Sequence, residues 1–444
     1  MDLLLDLSTA RGRRRGIETA LRDAVRGGRL VPGATLPSTR TLATDLGVAR
    51  GTVVAAYAQL VGEGYLAPGP DGHVVRSRSI TAGRPVPSPV ERPLVDLHAG
   101  EPDPTSFPMA AWLAALRRAA RDAPPDALAY GDQRGALALR VALADYLGRA
   151  RGVVADPDRI IVCSGAVDGL RLLAEVVGGR IGMEDPGLFV HRRVVAQTGA
   201  TVVPVPVDDL GADPTGLAAR AAVLTPAHQF PLGMALAPER RLAFVDWARR
   251  TGGLVIEDDY DGELRYDRQP VGAIQGLDPD AVAYVGTASK SLGPGLRLAW
   301  MVLPEHLVRP VVERIGAATT VPTLDQLALA ELLTSHQYER HLRRRRLANR
   351  DRRDQLLAAL GPDVEVRGLA AGLSALVVLP TAEHEARATA LAVERRVRLF
   401  GLGPNWHGDR RLHGLLVGYG RPPAHDLRRS IEVFTELLGD VLDG

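Results

Sequence analysis

The sequence predicts two unlike folding units: a small, mostly helical winged-helix head and a large α/β body on a mostly parallel central sheet. Three observations carry this. Short apolar runs at 159–163, 180–184, 201–205, 221–225, 253–257, 282–286 and 298–303 alternate with helix-length segments, as buried parallel strands joined by helices do. Residues 17–78 instead hold three short amphipathic helical patterns and a hairpin signal. Between the two lies a proline-rich stretch, with prolines at 85, 87, 89 and 93.

In the head, Ile17, Leu21 and Val25 recur at four-residue spacing on one side of a helix that Gly27-Gly28 ends. Ser38 is placed to cap a second helix carrying Leu42, Ala43 and Leu46, and Gly47 makes the turn. A third helix is expected to bury Val53, Val54, Tyr57, Leu60 and Val61. That leaves its start, with Arg50 and Thr52, free to meet base edges and phosphates. Gly64-Tyr65-Leu66 and His73-Val74-Val75 then read as a two-stranded wing turning at Pro70-Asp71-Gly72.

The charge distribution agrees with that reading. Residues 1–95 hold 13 Arg against 8 Asp plus Glu, although the whole chain carries only +2, so a basic module sits on a near-neutral body. The organisation is therefore a head at 11–78, a linker at 79–95 and a body at 96–444. In polyproline geometry, at ~3.1 Å per residue, the stretch from Ser77 to Val95 spans up to ~60 Å, enough for the head to reach a partner subunit. One cysteine, Cys163, excludes an internal disulfide and points to the reducing cytoplasm and a buried strand position. No apolar run has the length of a membrane span, and no signal-peptide pattern is present.

The body's chemistry starts from a compositional fact: Lys290 is the single lysine among 54 Lys plus Arg residues. Arginine stays protonated and cannot form an imine, whereas a desolvated lysine amine attacks a carbonyl. Its neighbourhood, GTASKSLGPGLRLAW, adds hydroxyls at Thr287 and Ser289 and a phosphate-forking Arg297. Ser164-Gly165-Ala166 joins a strand to a helix, a turn suited to an anion. Asp258 closes an apolar strand, where it would keep a pyridine nitrogen protonated, and Tyr260 follows two residues later, within reach of a ring oxygen. A solvated acidic loop is the rival reading of Glu257, Asp258, Asp259 and Asp261. A metal site is disfavoured because no Cys or His ligand pattern accompanies them. Taken together the residues point to a Schiff base with pyridoxal 5'-phosphate (PLP).

Two resemblances agree. LPSTRTLATDLGVARGTVVAAYAQLVGEGYL is similar to the GntR-type winged-helix reading head, which implies DNA contacts at Arg40, Arg50 and Thr52 and close approach of the wing at Gly72. Ala49 stands where such heads often carry a capping Ser, and Val54 where some carry Arg. EPDPTSFP, YGDQRG, CSGA, EDPG, TPAHQFPLG, EDDYDGELRY and SKSLGPGLRL resemble a fold-type I PLP domain of the aspartate aminotransferase superfamily. The order of head, linker and body resembles the MocR subgroup of GntR-type transcription regulators. By that resemblance Lys290 carries the cofactor, Asp258 pairs with the pyridinium and Tyr260 with the phenolic oxygen. Ser164, Gly165, Ala166, Thr287, Ser289 and Arg297 hold the phosphate, helped by Tyr130 of a neighbouring subunit. A homodimer bound to a double-stranded operator is implied, with PLP or an amine or amino-acid adduct as effector, and a link to vitamin B6 or amino-acid metabolism.

The departures bear on catalysis. Phe230 replaces an Asn that would meet the ring oxygen, Leu188 an aromatic that would frame the ring, and Leu416 the arginine that clamps a substrate carboxylate. Arg411 and His413 are the nearest substitutes for that clamp. Without a clamp the body loses its main source of amino-acid affinity and orientation, so a sensing use is expected. The rivals are a working aminotransferase with a DNA-binding extension and a cofactor-free dimerisation scaffold. The arginines within 341–353 are expected to form a solvated helix face. No catalytic role is expected of the histidines, His228 included.

Overall fold

The computed structural model describes residues 12–70, 72–76, 93–266, 271–316 and 321–443. The chain divides into two compact units, Met1–Arg92 and Pro93–Gly444. The linker up to Arg92 and Asp71 of the wing turn lie outside the described residues.

In the first unit, helices α1 (Arg13–Arg26), α2 (Thr39–Asp45) and α3 (Arg50–Gly62) precede the hairpin β1 (Leu66–Gly69) and β2 (Gly72–Val75). Ser38 caps α2 by accepting from the Thr41 N–H at 3.1 Å. Ala49 supplies no such bond to α3. Ile17, Leu21, Val25, Leu42, Val53, Ala56, Tyr57 and Leu60 form a closed apolar core; fully burying one such large side chain contributes roughly 1.5–3 kcal/mol. The expectation for Val54 is corrected: it is 45 % exposed. At 100° per residue the buried stripe of α3 runs 53, 56, 57, 60, which turns position 54 outward.

The second unit opens with β3 (Val95–Asp96), α4 (Met109–Asp122) and α5 (Leu137–Arg151). Strand β4 (Ile160–Cys163), α6 (Ala166–Val177), β5 (Arg180–Asp185), α7 (Phe189–Gln197), β6 (Thr201–Asp208), β7 (Gly211–Ala212) and β8 (Ala221–Leu224) follow. Then come α8 (Pro238–Thr251), β9 (Leu254–Asp259), β10 (Val282–Thr287) and β11 (Ala299–Val302). Among the described residues these strands make one sheet in the order β4-β11-β10-β9-β8-β5-β6-β7. Neighbours from β10 through β6 pair in parallel, while β11 runs antiparallel to both β10 and β4. Each expected apolar run therefore forms a strand, and Cys163 is buried at the end of β4. Helices pack on both faces, so the central strands are apolar on both sides, as in β8 and β10, whose residues are all buried.

Helices α9 (Glu305–Ile315), α10 (Thr323–Thr334) and α11 (Gln337–Leu360) lead to a smaller sheet of β12 (Val366–Arg367), β13 (Ala375–Leu379), β15 (Phe400–Gly401) and β16 (His413–Val417). Helices α12 (Ala382–Glu394) and α13 (Leu427–Leu442) and strand β14 (Val397–Arg398) complete it. Strand β14 pairs with β3, so the body's first strand begins at Val95. The arginine-rich part of α11 is only half a solvated face: Arg340, Arg343, Arg344 and Arg350 are exposed, whereas Arg345 and Arg352 are buried. Arg352 bonds Asp103 at 2.8 Å, because helical periodicity turns part of any long charged run inward. No described helix is long and apolar enough to cross a membrane.

Candidate cofactor site

The sheet brings three separate segments to the carboxyl ends of its strands, where open α/β sheets place ligands. Thr287 at the end of β10 lies opposite Ala299, which lies opposite Cys163 at the end of β4. Ser164 and Gly165 then turn the chain into α6, whose first N–H groups have no intrahelical acceptor. Gly165 has φ +103, and a Cβ there would sit 2.7 Å from the Arg297 guanidinium; only glycine lets that cation close over the helix start. Arg297 donates to the Ser164 carbonyl oxygen. The Thr287 and Ser289 hydroxyls lie 2.9 Å apart beside it. The fold thus gathers Ser164, Gly165, Ala166 and Arg297 at the start of α6, with Thr287 and Ser289 at the end of β10; the Ser164 N–H and hydroxyl each lie 3.2 Å from Asp168 Oδ2, and Arg297 supplies positive charge there.

Strand periodicity sorts the acidic run. Glu257, Asp258, Asp259 and Asp261 are all buried, which overturns the solvated-loop reading. Glu257 accepts the N–H groups of Ile274 and Gln275. Asp259 pairs with Arg151 at 2.6 Å and accepts the Tyr284 hydroxyl at 2.8 Å. Asp258, one residue out of phase, faces the other side of β9. Its Oδ2 is 3.5 Å from His191 Nδ1 of α7, and its Oδ1 is buried without a hydrogen-bond partner among the described residues. Burial, reinforced by Asp259 and opposed by Lys290, pushes the Asp258 carboxyl up to about 7. Burial, with Lys290 adding to it, pushes His191 down to about 4. His191 is therefore a neutral partner that sequence reasoning missed; a histidine three residues into a helix after the EDPG turn is its only local signal.

Lys290 follows β10 and is half-buried. Desolvation lowers its amine pKa, opposed by Asp261, Asp258 and Glu101 in that order. Gly100 packs against the amine, a Cβ there lying 3.7 Å from Nζ. Tyr260 is kept well above the ordinary phenol range by burial, then by Asp261 and Asp258, so it remains a donor. Its hydroxyl is 3.3 Å from His228 Nδ1, and Phe230 meets its ring edge-on at 6.4 Å.

The position read from the sequence as that of the clamp is apolar. Leu416 is 4 % exposed and packs with Leu232, Leu376 and Leu402, flanked by Phe230 and Trp406. Arg411 is exposed and His413 half-buried. Leu188 precedes α7, and Phe189 turns outward, where Arg193 lies 5.8 Å from its ring centroid. Tyr130 is not gathered into the cradle: it stands 93 % exposed between α4 and α5, in a groove with Pro124, Ala127 and Val321.

The residues fit the cofactor on one decisive observation: the Asp258 Oδ1 is buried, has no hydrogen-bond partner among the described residues, and belongs to a carboxyl that interacts with Lys290. A buried acceptor without a donor costs about 1–3 kcal/mol, and a protonated ring nitrogen would remove that cost. The ligand-free protein should respond to pH accordingly. Asp258, Glu184 and Glu257 are each pushed up to about 7 by burial. The folded state then holds protons that the unfolded chain has released, and stability falls as pH rises from about 4.5 to about 8. Thermal melting across that range is the measurement, with Asp258→Asn expected to flatten the slope. A melting temperature that climbs steadily with pH would contradict it.

Fold and site together define a PLP-binding domain of the aminotransferase type, attached to a DNA-reading head. Residues 92–404 match the family model of class I and II aminotransferases, and residues 13–68 that of bacterial regulatory proteins of the gntR family. The HTH-type pyridoxine biosynthesis transcriptional regulator PdxR of Corynebacterium glutamicum is 35 % identical over 426 residues, 92 % of each chain. The probable rhizopine catabolism regulatory protein MocR of Rhizobium meliloti is 33 % identical, across 80 % of this chain and 78 % of that one. An archaeal alanine:glyoxylate aminotransferase shares the body's fold at a TM-score of 0.70 and 24 % identity, covering 79 % of this chain and 91 % of its own. The chain belongs to the MocR-type regulators of the GntR family.

Proposed function

We propose that the body senses PLP, or an amine adduct of it, and that occupancy biases the DNA-reading heads of a cytoplasmic homodimer. When bound, PLP supplies an aldehyde that condenses with an amine and a protonated ring that withdraws electrons. Lys290 would hold it covalently, Asp258 its ring nitrogen and Tyr260 its ring oxygen. Ser164, Gly165, Ala166, Thr287, Ser289 and Arg297 would hold its phosphate. Arg40 and Arg50, both exposed, and Thr52 at the start of α3 would contact DNA, with Gly72 bringing the wing near the backbone.

The observation that carries a sensing rather than a catalytic reading is the apolar cluster around Leu416 where a carboxylate would need a cation. Without a bidentate partner, an amino acid loses both affinity and orientation. A second copy is supported by the exposed apolar side chains Leu128, Tyr130, Leu137 and Val141 on and before α5; Tyr130 would then complete the partner's phosphate cradle.

The test is a spectroscopic titration of ligand-free protein with PLP, repeated while operator binding is followed. Coupling needs a difference in PLP affinity between two head arrangements, and typical couplings change DNA affinity roughly 5–150-fold. PLP binding that leaves DNA affinity and geometry untouched would sink direct sensing. Turnover of amino acids at ordinary enzymatic rates would favour the catalytic reading.

A further inference from the structure

We propose that His228 and Asp261 form a positioning pair for the Tyr260 hydroxyl, standing in at the cofactor's ring-oxygen side for the side-chain amide that Phe230 lacks. The proposal rests on the reading that Lys290, Asp258 and Tyr260 hold PLP. The loop after β8 carries one side-chain amide, Gln229, and the loop itself consumes it. Gln229 Oε1 accepts the Leu232 N–H at 2.9 Å, while Nε2 donates to the carbonyls of Pro186 at 2.9 Å and Phe230 at 2.8 Å. Phe230 offers Tyr260 only a ring edge. His228 Nδ1 reaches the phenol at 3.3 Å, from a ring stacked over Tyr260 with a 6.2 Å centroid separation, and the Asp261 carboxylate faces the same hydroxyl.

His228 is itself held. Its Nδ1 is 2.8 Å from Asp261 Oδ2, with both side chains buried. A nitrogen facing a carboxylate carries the proton. The same N–H then lies against the Tyr260 oxygen, which acts as its second acceptor, while the phenol's own proton faces the Asp261 carboxylate in the ligand-free protein and can turn to a ligand oxygen. The pair is built into the fold: a Cβ on Gly372, where φ is +73, would lie 2.6 Å from His228 Cε1 and 2.7 Å from Asp261 Oδ2. Any side chain there would force the two apart. Tyr260 also faces Asp258 and Glu184, and Asp261 faces Lys290. The pair therefore interacts with the phenol directly and, through Asp261, with the lysine.

The experiment uses the full chain loaded with PLP and reads the visible absorption band, its pH midpoint and PLP affinity. His228→Phe and His228→Gln should move the midpoint by about one pH unit and weaken PLP binding about tenfold, the scale of one lost hydrogen bond. His228→Asn, whose amide nitrogen falls near the Nδ1 position, should stay close to wild type. With Tyr260→Phe as background, His228→Phe should change the midpoint little further, because the interaction it removes is already gone. Equal effects in both backgrounds, or an Asn variant as damaged as the Phe variant, would overturn the proposal. If His228→Phe fails to fold, the contrast between Asn and Gln decides. A wild-type chain that binds no PLP defeats the cofactor reading itself, a separate outcome.

Discussion

Lys290→Ala abolishes the borohydride-trappable PLP adduct and its visible absorption, from near one adduct per chain to background. The expectation is sharp because the chain contains no other lysine. After the substitution no side-chain amine remains to take over. Lys290→Arg should fail equally, since a guanidinium does not form an imine and stays protonated. The fold should survive, because Lys290 is only half-buried and follows β10 rather than lying within it. Intact-mass analysis after reduction, with melting to verify folding, is the measurement. An adduct of undiminished stoichiometry on the alanine variant would remove Lys290 from the site.

Arg151→Met destabilises the body by about 3–5 kcal/mol, the range found when one member of a buried pair is removed and the other charge stays behind. Arg151 Nε and Nη2 lie 2.6 and 3.0 Å from the two Asp259 oxygens. The side chains are 2 % and 0 % exposed. The surviving Asp259 would keep the Tyr284 hydroxyl but lose its counter-charge. The site should suffer as well, because Asp259 and Asp258 are adjacent on β9 and Asp259 already raises the Asp258 pKa. Replacing both residues, Arg151→Met with Asp259→Leu, should recover much of the loss, since hydrophobic replacement of a buried pair is often neutral. Urea unfolding of the three variants decides; a single-variant loss below about 1 kcal/mol would show that the pair is not the anchor of this strand.

Much of the site was legible because its signals are local. Lys290, Arg297 and the hydroxyls lie within one segment, and Asp258 and Tyr260 within another. The pairings of His191 with Asp258 and of His228 with Asp261 were not legible because the partners lie 67 and 33 residues away and nothing local marks them. Val54 was misplaced because apolarity was read without its helical phase. The acidic run kept a solvated loop as its rival reading because composition cannot tell which side of a strand each carboxylate takes.

By itself, then, the sequence determined the alternation of strands and helices, the division into a basic head and a near-neutral body, and the one amine able to form an imine. Those depend on periodicity, composition and residue chemistry, which are properties of the chain before it folds. Only the tertiary structure decided that Asp258 Oδ1 is buried without a hydrogen-bond partner among the described residues, that Asp259, Asp261 and Glu257 meet Arg151, His228 and backbone N–H groups, and that Leu416 lies in an apolar cluster. Burial and pairing depend on residues far apart in the chain, so they exist only once the sheet has brought those residues together.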